Sequence, residues 1–352
     1  MDSYIASLRM APEDEEAARR ARDRWNAVAK PIGSLGLLED AVVRIAGLVG
    51  TERVDISRRC AVVFCADNGV VAQGVTQCGS EVSAIVAGSI ARGTSSICRM
   101  GAVADLDWLA VDVGLLEHPN VEGLVSRRVR AGTFDITRGP AMTRQQAVQA
   151  MRVGVDLVGE LAGRGNRLLV AGEMGIGNTT TAAAIACAFT GMGPADLVGR
   201  GAGLGESGLA RKREAVAEAL RVNRPDPHDA MDVICKVGGL DIAGMCGMFL
   251  GGAVHRVPVI VDGLVSVVAA YCACQLRPEC SNAMIASHVS AEPAASVLLD
   301  RLGLRPVIDA GMRLGEGTGA ACLVPLLDMA LALYDGSTFS DYGMRAYEER
   351  PQ

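Results

Sequence analysis

With 352 residues, half of them hydrophobic, and 42 glycines, the chain can bury a large core, as one domain or as a main domain with a satellite. A net charge of −6 and an aromatic content of 3% exclude both the basic footprint and the base-stacking platforms of a nucleic-acid binder. A small-molecule substrate is the expected partner.

The first residues are polar and charged, which is not the pattern of a secretory leader, and a cytoplasmic protein is expected from its unpaired cysteines. Residues 13–29, rich in Glu, Arg and Ala, predict a surface helix with i,i+4 charge pairs. Lys30-Pro31-Ile32-Gly33-Ser34-Leu35-Gly36 breaks it, and a second amphipathic helix is expected from Leu37 to Leu48. A recurring habit follows. Apolar β-type runs end in Gly, Ser or an acidic residue, and a helical pattern comes after each. Ala61–Ala66 runs into Asp67-Asn68-Gly69, and Trp108–Val111 into Asp112-Val113-Gly114. Leu168–Ala171 ends at Gly172-Glu173, Val257–Val261 at Asp262-Gly263, and Ala283–Ala286 at Ser287-His288.

Strands alternating with helices predict an α/β fold, a doubly wound, mostly parallel, Rossmann-like sheet. Its ligands should bind outside the carboxyl ends of the strands. The uncharged stretch Gly263 to Gln275 is too short to span a bilayer and reads as a buried helix. Thr318 to Tyr334 reads as a closing apolar helix. Helices at both ends predict a small helical subdomain from residues 1–50 and 325–352, around an α/β nucleotide- and base-binding domain at 51–324. Eleven cysteines without a CxxC pair read as reduced core residues. The C-x-C-x5-C spacing of Cys272, Cys274 and Cys280 is not that of a common zinc site, so no metal is expected.

Three glycine-rich turns carry the candidate chemistry. In Asn166–Ala184 a strand empties into Gly172, Gly175 and Gly177, and Asn178 or Thr179 then caps an Ala-rich helix. It reads as a phosphate cradle or, equally on local sequence, a plain tight turn, since glycines admit close backbone approach and a helix N-terminus carries partial positive charge. It matches neither the P-loop nor the dinucleotide fingerprint. Glu173 stands inside it. Gly199-Arg-Gly-Ala-Gly-Leu-Gly205 precedes a helix with Arg211, Lys212 and Arg213, either an anion-facing loop or a flexible turn before a solvated basic face. Arg313-Leu314-Gly315-Glu316-Gly317-Thr318-Gly319 again sets a glutamate among glycines, the placement of a general acid or base. Asp241 and Asp262 are read as polar organisers of the crevice. His288 is read as a hydrogen-bonded strand-end histidine, because no G-x-S-x-G elbow accompanies it.

Together KPIGSLGLLE (30–39), FCADNGV (64–70), AGEMGIGNTT (171–180), GRGAGL (199–204), GGLDIAGM (238–245), VDGLVS (261–266), SHVSAE (287–292) and LGEGTGA (314–320) resemble one family. It is that of the nicotinate-nucleotide–dimethylbenzimidazole phosphoribosyltransferases of cobalamin lower-loop synthesis. The motifs run in family order over most of the chain.

The resemblance implies transfer of the phosphoribosyl group of nicotinate mononucleotide to 5,6-dimethylbenzimidazole, without a cofactor. It implies Glu316 as general base and Glu173 as a second carboxylate at the reacting centre. Gly175, Ile176, Gly177, Asn178, Thr179, Gly201, Gly203 and Lys212 fall where the family holds the nucleotide. Asp241, Asp262, Ser287 and Leu314 join the substrate-binding set, and Ser80 and Ile85 the base pocket. The family is dimeric, so a homodimer is expected, with residues near Gly33-Ser34 reaching toward the partner. The chain departs from many members at Asn68, where they have His, and over Gln77-Cys78-Gly79-Ser80 and Ile85. An apolar Ile85 disfavours a purine, leaving benzimidazoles first and phenols second. A catalytically silent nucleotide-binding subunit is the rival from another class.

Overall fold

The computed structural model describes residues 3–348. Six strands, β1 (Arg59–Ala66), β2 (Asp107–Gly114), β3 (Leu124–Ser126), β4 (Leu168–Met174), β5 (Val259–Val261) and β6 (Met284–Ala286), form one sheet in the order β3-β2-β1-β4-β5-β6. Every strand pair is parallel. The side-chain period of two sorts each strand between two cores. Val62, Phe64, Leu169, Ala171 and Val261 face one, and Ala61, Val63, Leu168, Val170 and Ile260 the other. With both faces apolar, both must be covered by helices, which is the doubly wound arrangement the sequence predicts.

The first face is covered by helices Arg144–Gly163, Asn178–Thr190, Leu240–His255 and Leu264–Leu276. The tightest contact runs between the first and third of these. A Cβ on Gly247 would overlap the Met151 carbonyl, so only glycine lets the two backbones touch. The second face is covered by Leu37–Val49, Glu81–Ala91, Ser96–Val103 and the closing helix Thr318–Tyr334.

The closing helix serves two cores. Ala320, Leu323, Val324 and Leu327 pack toward the sheet, whereas Ala330 and Tyr334 join Trp25, Val28, Val42 and Ala46 of the N-terminal segment. The Trp25 and Tyr334 rings meet at a tilt of 57° with centroids 4.8 Å apart. Beneath them Lys30 and Glu39 form an enclosed ion pair at 2.6 Å, and Glu39 also accepts the Leu35 N–H. The expected division at residue 325 falls inside this helix, at Pro325. Residues 1–2 and 349–352 of the expected terminal unit lie outside the described residues.

One local expectation is corrected. Neither Asn178 nor Thr179 caps its helix. Gly177 holds the cap position with φ +92°, and Asn178 is the first helical residue. In the basic turn, left open between an anion-facing and a solvated reading, Arg211 is exposed and Arg213 half-buried, whereas Lys212 is 1% exposed. Among the described residues no helix is long and apolar enough to cross a membrane.

Candidate active site at the carboxyl edge of the sheet

The strand order reverses between β1 and β4, since the chain leaves β1 toward β2 and β3 and returns on its other side. Ligands bind at such a switch point in open parallel sheets. Here a cleft of about 290 Å³ opens beyond the strand ends. β4 brings Glu173 to it, β5 brings Asp262, β6 brings His288, and the closing helix is entered through Glu316.

One end of the cleft is acidic. The Asn178 side-chain amide donates to Glu173 Oε2 and, at 3.1 Å, to Asp241 Oδ2. Glu173 is half-buried as a residue, but its carboxyl group is enclosed. That enclosure, with Asp241 beside it, pushes its pKa up to about 8, and Asp262 and Glu316 add to the effect. Burial pushes Asp241 up to about 6, against the opposing pull of the Asn178 amide and the Ile242 N–H. Asp262 is raised by burial and held back by His288. Its oxygens accept the N–H groups of Gly317 (3.2 Å) and Ala320 (2.9 Å).

Glu316 itself sits in the left-handed region, φ +61°, between Gly315 at +93° and Gly317 at +89°. A non-glycine residue there carries local strain, a condition concentrated at functional sites. Its Oε2 accepts the Ile97 N–H at 3.1 Å, at the start of the Ser96–Val103 helix. A Cβ on Gly315 would lie 2.6 Å from Glu173 Oε1, so the two glycine-set glutamates share one corner of the cleft.

The other end is a cradle. Gly201, at φ +54°, turns the Gly199–Gly205 loop over the start of the Asn178–Thr190 helix. The Lys212 ammonium reaches up from the Glu206–Asn223 helix and donates to Thr179 Oγ1 at 2.8 Å. Burial lowers its pKa to about 8, with Glu292 acting in the opposite sense. Gln77 donates from the facing loop to the carbonyls of Ala202 (3.2 Å) and Gly203 (2.6 Å), tying the two walls together.

The cleft gathers Glu173, Gly175, Ile176, Gly177, Asn178, Thr179, Gly201, Lys212, Asp262, Leu314 and Glu316 from the residues named in sequence. Five others do not line it. Asp241 stands behind Asn178. Ser287 is wholly buried, its hydroxyl given to the Val261 carbonyl at 2.6 Å and set 2.9 Å from His288 Nδ1. Gly203 supports the loop rather than the wall. Ser80 is half-buried and Ile85 is 60% exposed, while Val86, one residue on, faces inward with Val75 and Cys78. Sequence reasoning passed over Glu292 and Arg200, which do line the cleft. Both lie in the motifs SHVSAE and GRGAGL, but nothing local distinguishes Glu292 from a surface residue. Among the described residues no group of three or more His, Cys, Asp or Glu is placed to hold a metal ion.

A glycine-rich cradle facing paired carboxylates across the switch point of a parallel sheet has the build of a small-molecule enzyme site. The phosphoribosyltransferase family DBI_PRT matches residues 10–344. The chain is 41% identical over 326 residues to the nicotinate-nucleotide–dimethylbenzimidazole phosphoribosyltransferase of Acetivibrio thermocellus, covering 92% of this chain and 93% of that one. It is 41% identical over 323 residues to that of Escherichia coli strain SE11, covering 92% and 90%. A crystal structure of CobT from Thermus thermophilus superposes with a TM-score of 0.89 at 38% identity, covering 94% of this chain and 99% of that one. The chain belongs to the nicotinate-nucleotide–dimethylbenzimidazole phosphoribosyltransferase family.

Proposed function

We propose that the chain transfers the 5-phosphoribosyl group of nicotinate mononucleotide to 5,6-dimethylbenzimidazole or a closely related base, releasing nicotinate and α-ribazole 5′-phosphate. A ring nitrogen of the base attacks ribose C1′ as the bond to the pyridinium nitrogen breaks. That bond's electron pair neutralises the nicotinate ring, and the proton on the attacking base is left to be removed. The observation that carries this reading is the pairing of Glu316 and Glu173 in one corner, opposite a cradle with a buried lysine.

Two carboxylates in different surroundings take different roles. Glu316, oriented by the Ile97 N–H, receives the proton. Glu173, held protonated up to about pH 8 in the free enzyme, turns anionic when the cationic pyridinium enters and then stabilises positive charge at the ribose. Gly175–Thr179, Gly201 and Lys212 hold the phosphate, Asp241 supports Asn178 from behind, and Asp262 holds the loop that carries Glu316. Val75, Cys78, Val86 and Leu314 give the base an apolar wall, which favours a benzimidazole over a purine.

Exposed Ile85 and Leu314, each 60% exposed, support a homodimer in which a second copy covers this edge. The eleven free thiols support a reducing compartment, the cytoplasm. Incubation with nicotinate mononucleotide and dimethylbenzimidazole, read by mass-resolved chromatography, should yield nicotinate and the riboside phosphate together. Folded protein that binds the nucleotide yet forms no product with any benzimidazole or phenol would replace this reading with a silent subunit. A monomer in sedimentation velocity at assay concentration would overturn the dimer.

A further inference from the structure

Glu292 is the one carboxylate of the cleft that the acidic corner does not account for. It stands 5% exposed, at the cradle end, as the cap residue of the Pro293–Leu302 helix. Its Oε1 accepts the Gly201 N–H at 2.8 Å. Its Oε2 is buried without a hydrogen-bond partner and lies where a Cβ on Gly199 would be. On the other side of the same turn, a Cβ on Gly201 would lie 3.2 Å from the Lys212 ammonium. A carboxylate beside an anion site raises the electrostatic cost of the anion unless it serves the groups that bind it.

We propose that Glu292 is a positioning residue for the phosphate, bracing the Gly199–Gly201 turn through the Gly201 N–H and keeping Lys212 charged across that turn. The inference rests on the cradle holding a phosphate, as the functional reading has it. Burial alone drives Lys212 toward the neutral amine, and Glu292 is the anion that opposes this. The other charged groups around that helix are otherwise engaged. Arg200 pairs with Glu206, Arg211 donates to the Gly74 carbonyl, Arg213 to the Ala195 carbonyl, and Lys236 pairs with Asp232. Asp196, on the neighbouring Pro194–Leu197 turn, is exposed.

The test is calorimetric binding of nicotinate mononucleotide, and separately of inorganic phosphate, between pH 6.5 and 9. Wild-type affinity should fall as pH rises through about 8, where Lys212 loses its proton. Glu292→Gln retains an acceptor for the Gly201 N–H but removes the charge. Its fall should begin at lower pH, leaving binding about tenfold weaker at pH 8 yet within about threefold at pH 6.5. Glu292→Asp retains the charge but shortens the reach, so binding should weaken by a similar factor at every pH with the midpoint unmoved. Glu173 titrates alike in all three proteins, so differences between curves belong to the cradle.

An unmoved midpoint in Glu292→Gln, or intact affinity with turnover alone reduced, overturns the proposal. Should Glu292→Gln fail to fold, wild-type affinity in Glu292→Asp overturns it as well. Wild type that binds inorganic phosphate with the expected pH dependence, but not nicotinate mononucleotide, supports the cradle and overturns the assigned donor instead.

Discussion

Asp262 accepts the Gly317 N–H at 3.2 Å, so the carboxyl end of β5 fixes the loop on which Glu316 is carried. The same carboxylate accepts the Ala320 N–H, capping the closing helix from outside its own segment. Asp262→Ala leaves two buried donors without partners and should cost about 2–4 kcal/mol in denaturant unfolding. It should also lower kcat, because the strained Glu316 backbone loses its anchor. Unchanged stability would mean that water replaces the cap fully.

Glu316→Gln keeps the shape of the corner and the acceptor for the Ile97 N–H but removes the carboxylate proposed to take the proton. Turnover should drop about 10²–10⁴-fold, with nucleotide KM little changed. Near-normal turnover in steady-state assays would assign the proton transfer elsewhere.

Glu173 predicts a trade between stability and activity. Its ordinary value is 4.5 and its value in the fold is about 8. A carboxyl with raised pKa contributes nothing adverse below about pH 4.5, where it is neutral folded and unfolded. Its destabilising contribution grows as pH rises toward about 8, because only the unfolded chain ionises freely. Glu173→Gln should therefore raise the unfolding temperature by several degrees at pH 7–8, have no such effect near pH 4, and lower turnover. Binding of nicotinate mononucleotide near pH 7, which brings its pyridinium ring toward Glu173, should release a proton from wild type but not from Glu173→Gln. Calorimetry in buffers of different ionisation enthalpy checks this.

Lys212→Met retains the buried stem and removes the charge. Loss of a charge-assisted contact to phosphate should raise nucleotide KM about 10–100-fold, with the KM for the base nearly unchanged. Equal loss on both substrates would show a general collapse of the cleft rather than loss of a phosphate ligand.

Much of the fold was legible because its signals are local. The apolar run at Leu168–Ala171 marks β4, and Thr318–Tyr334 is helical over the expected span. β3, three residues long and half exposed along its length, has no run to detect. The glycine-set glutamates stood out because a turn and a charge coincide. Local sequence left Lys212, between Arg211 and Arg213, open to a solvated or an anion-facing reading, since its burial depends on the Gly201 turn folding over it. Asp241 and Ser287 were expected in the substrate-binding set but stand behind the cleft wall, because which side of a strand end or helix start faces the cleft is settled by tertiary packing. Glu292 was invisible for the same reason, as its partner Gly201 is distant in sequence.

The strand order also bears on how the chain must be made. β1 meets β2 soon after it is synthesised, but its opposite edge waits for β4, with the whole Arg144–Gly163 helix still to come. From Cys60 to Ala66 every side chain of β1 is apolar and destined for burial. Until β4 arrives, that edge offers unpaired backbone groups to any neighbouring strand, including the same strand of another nascent chain. Long-range pairing of this kind makes refolding slow, and the recovered yield should fall as protein concentration rises.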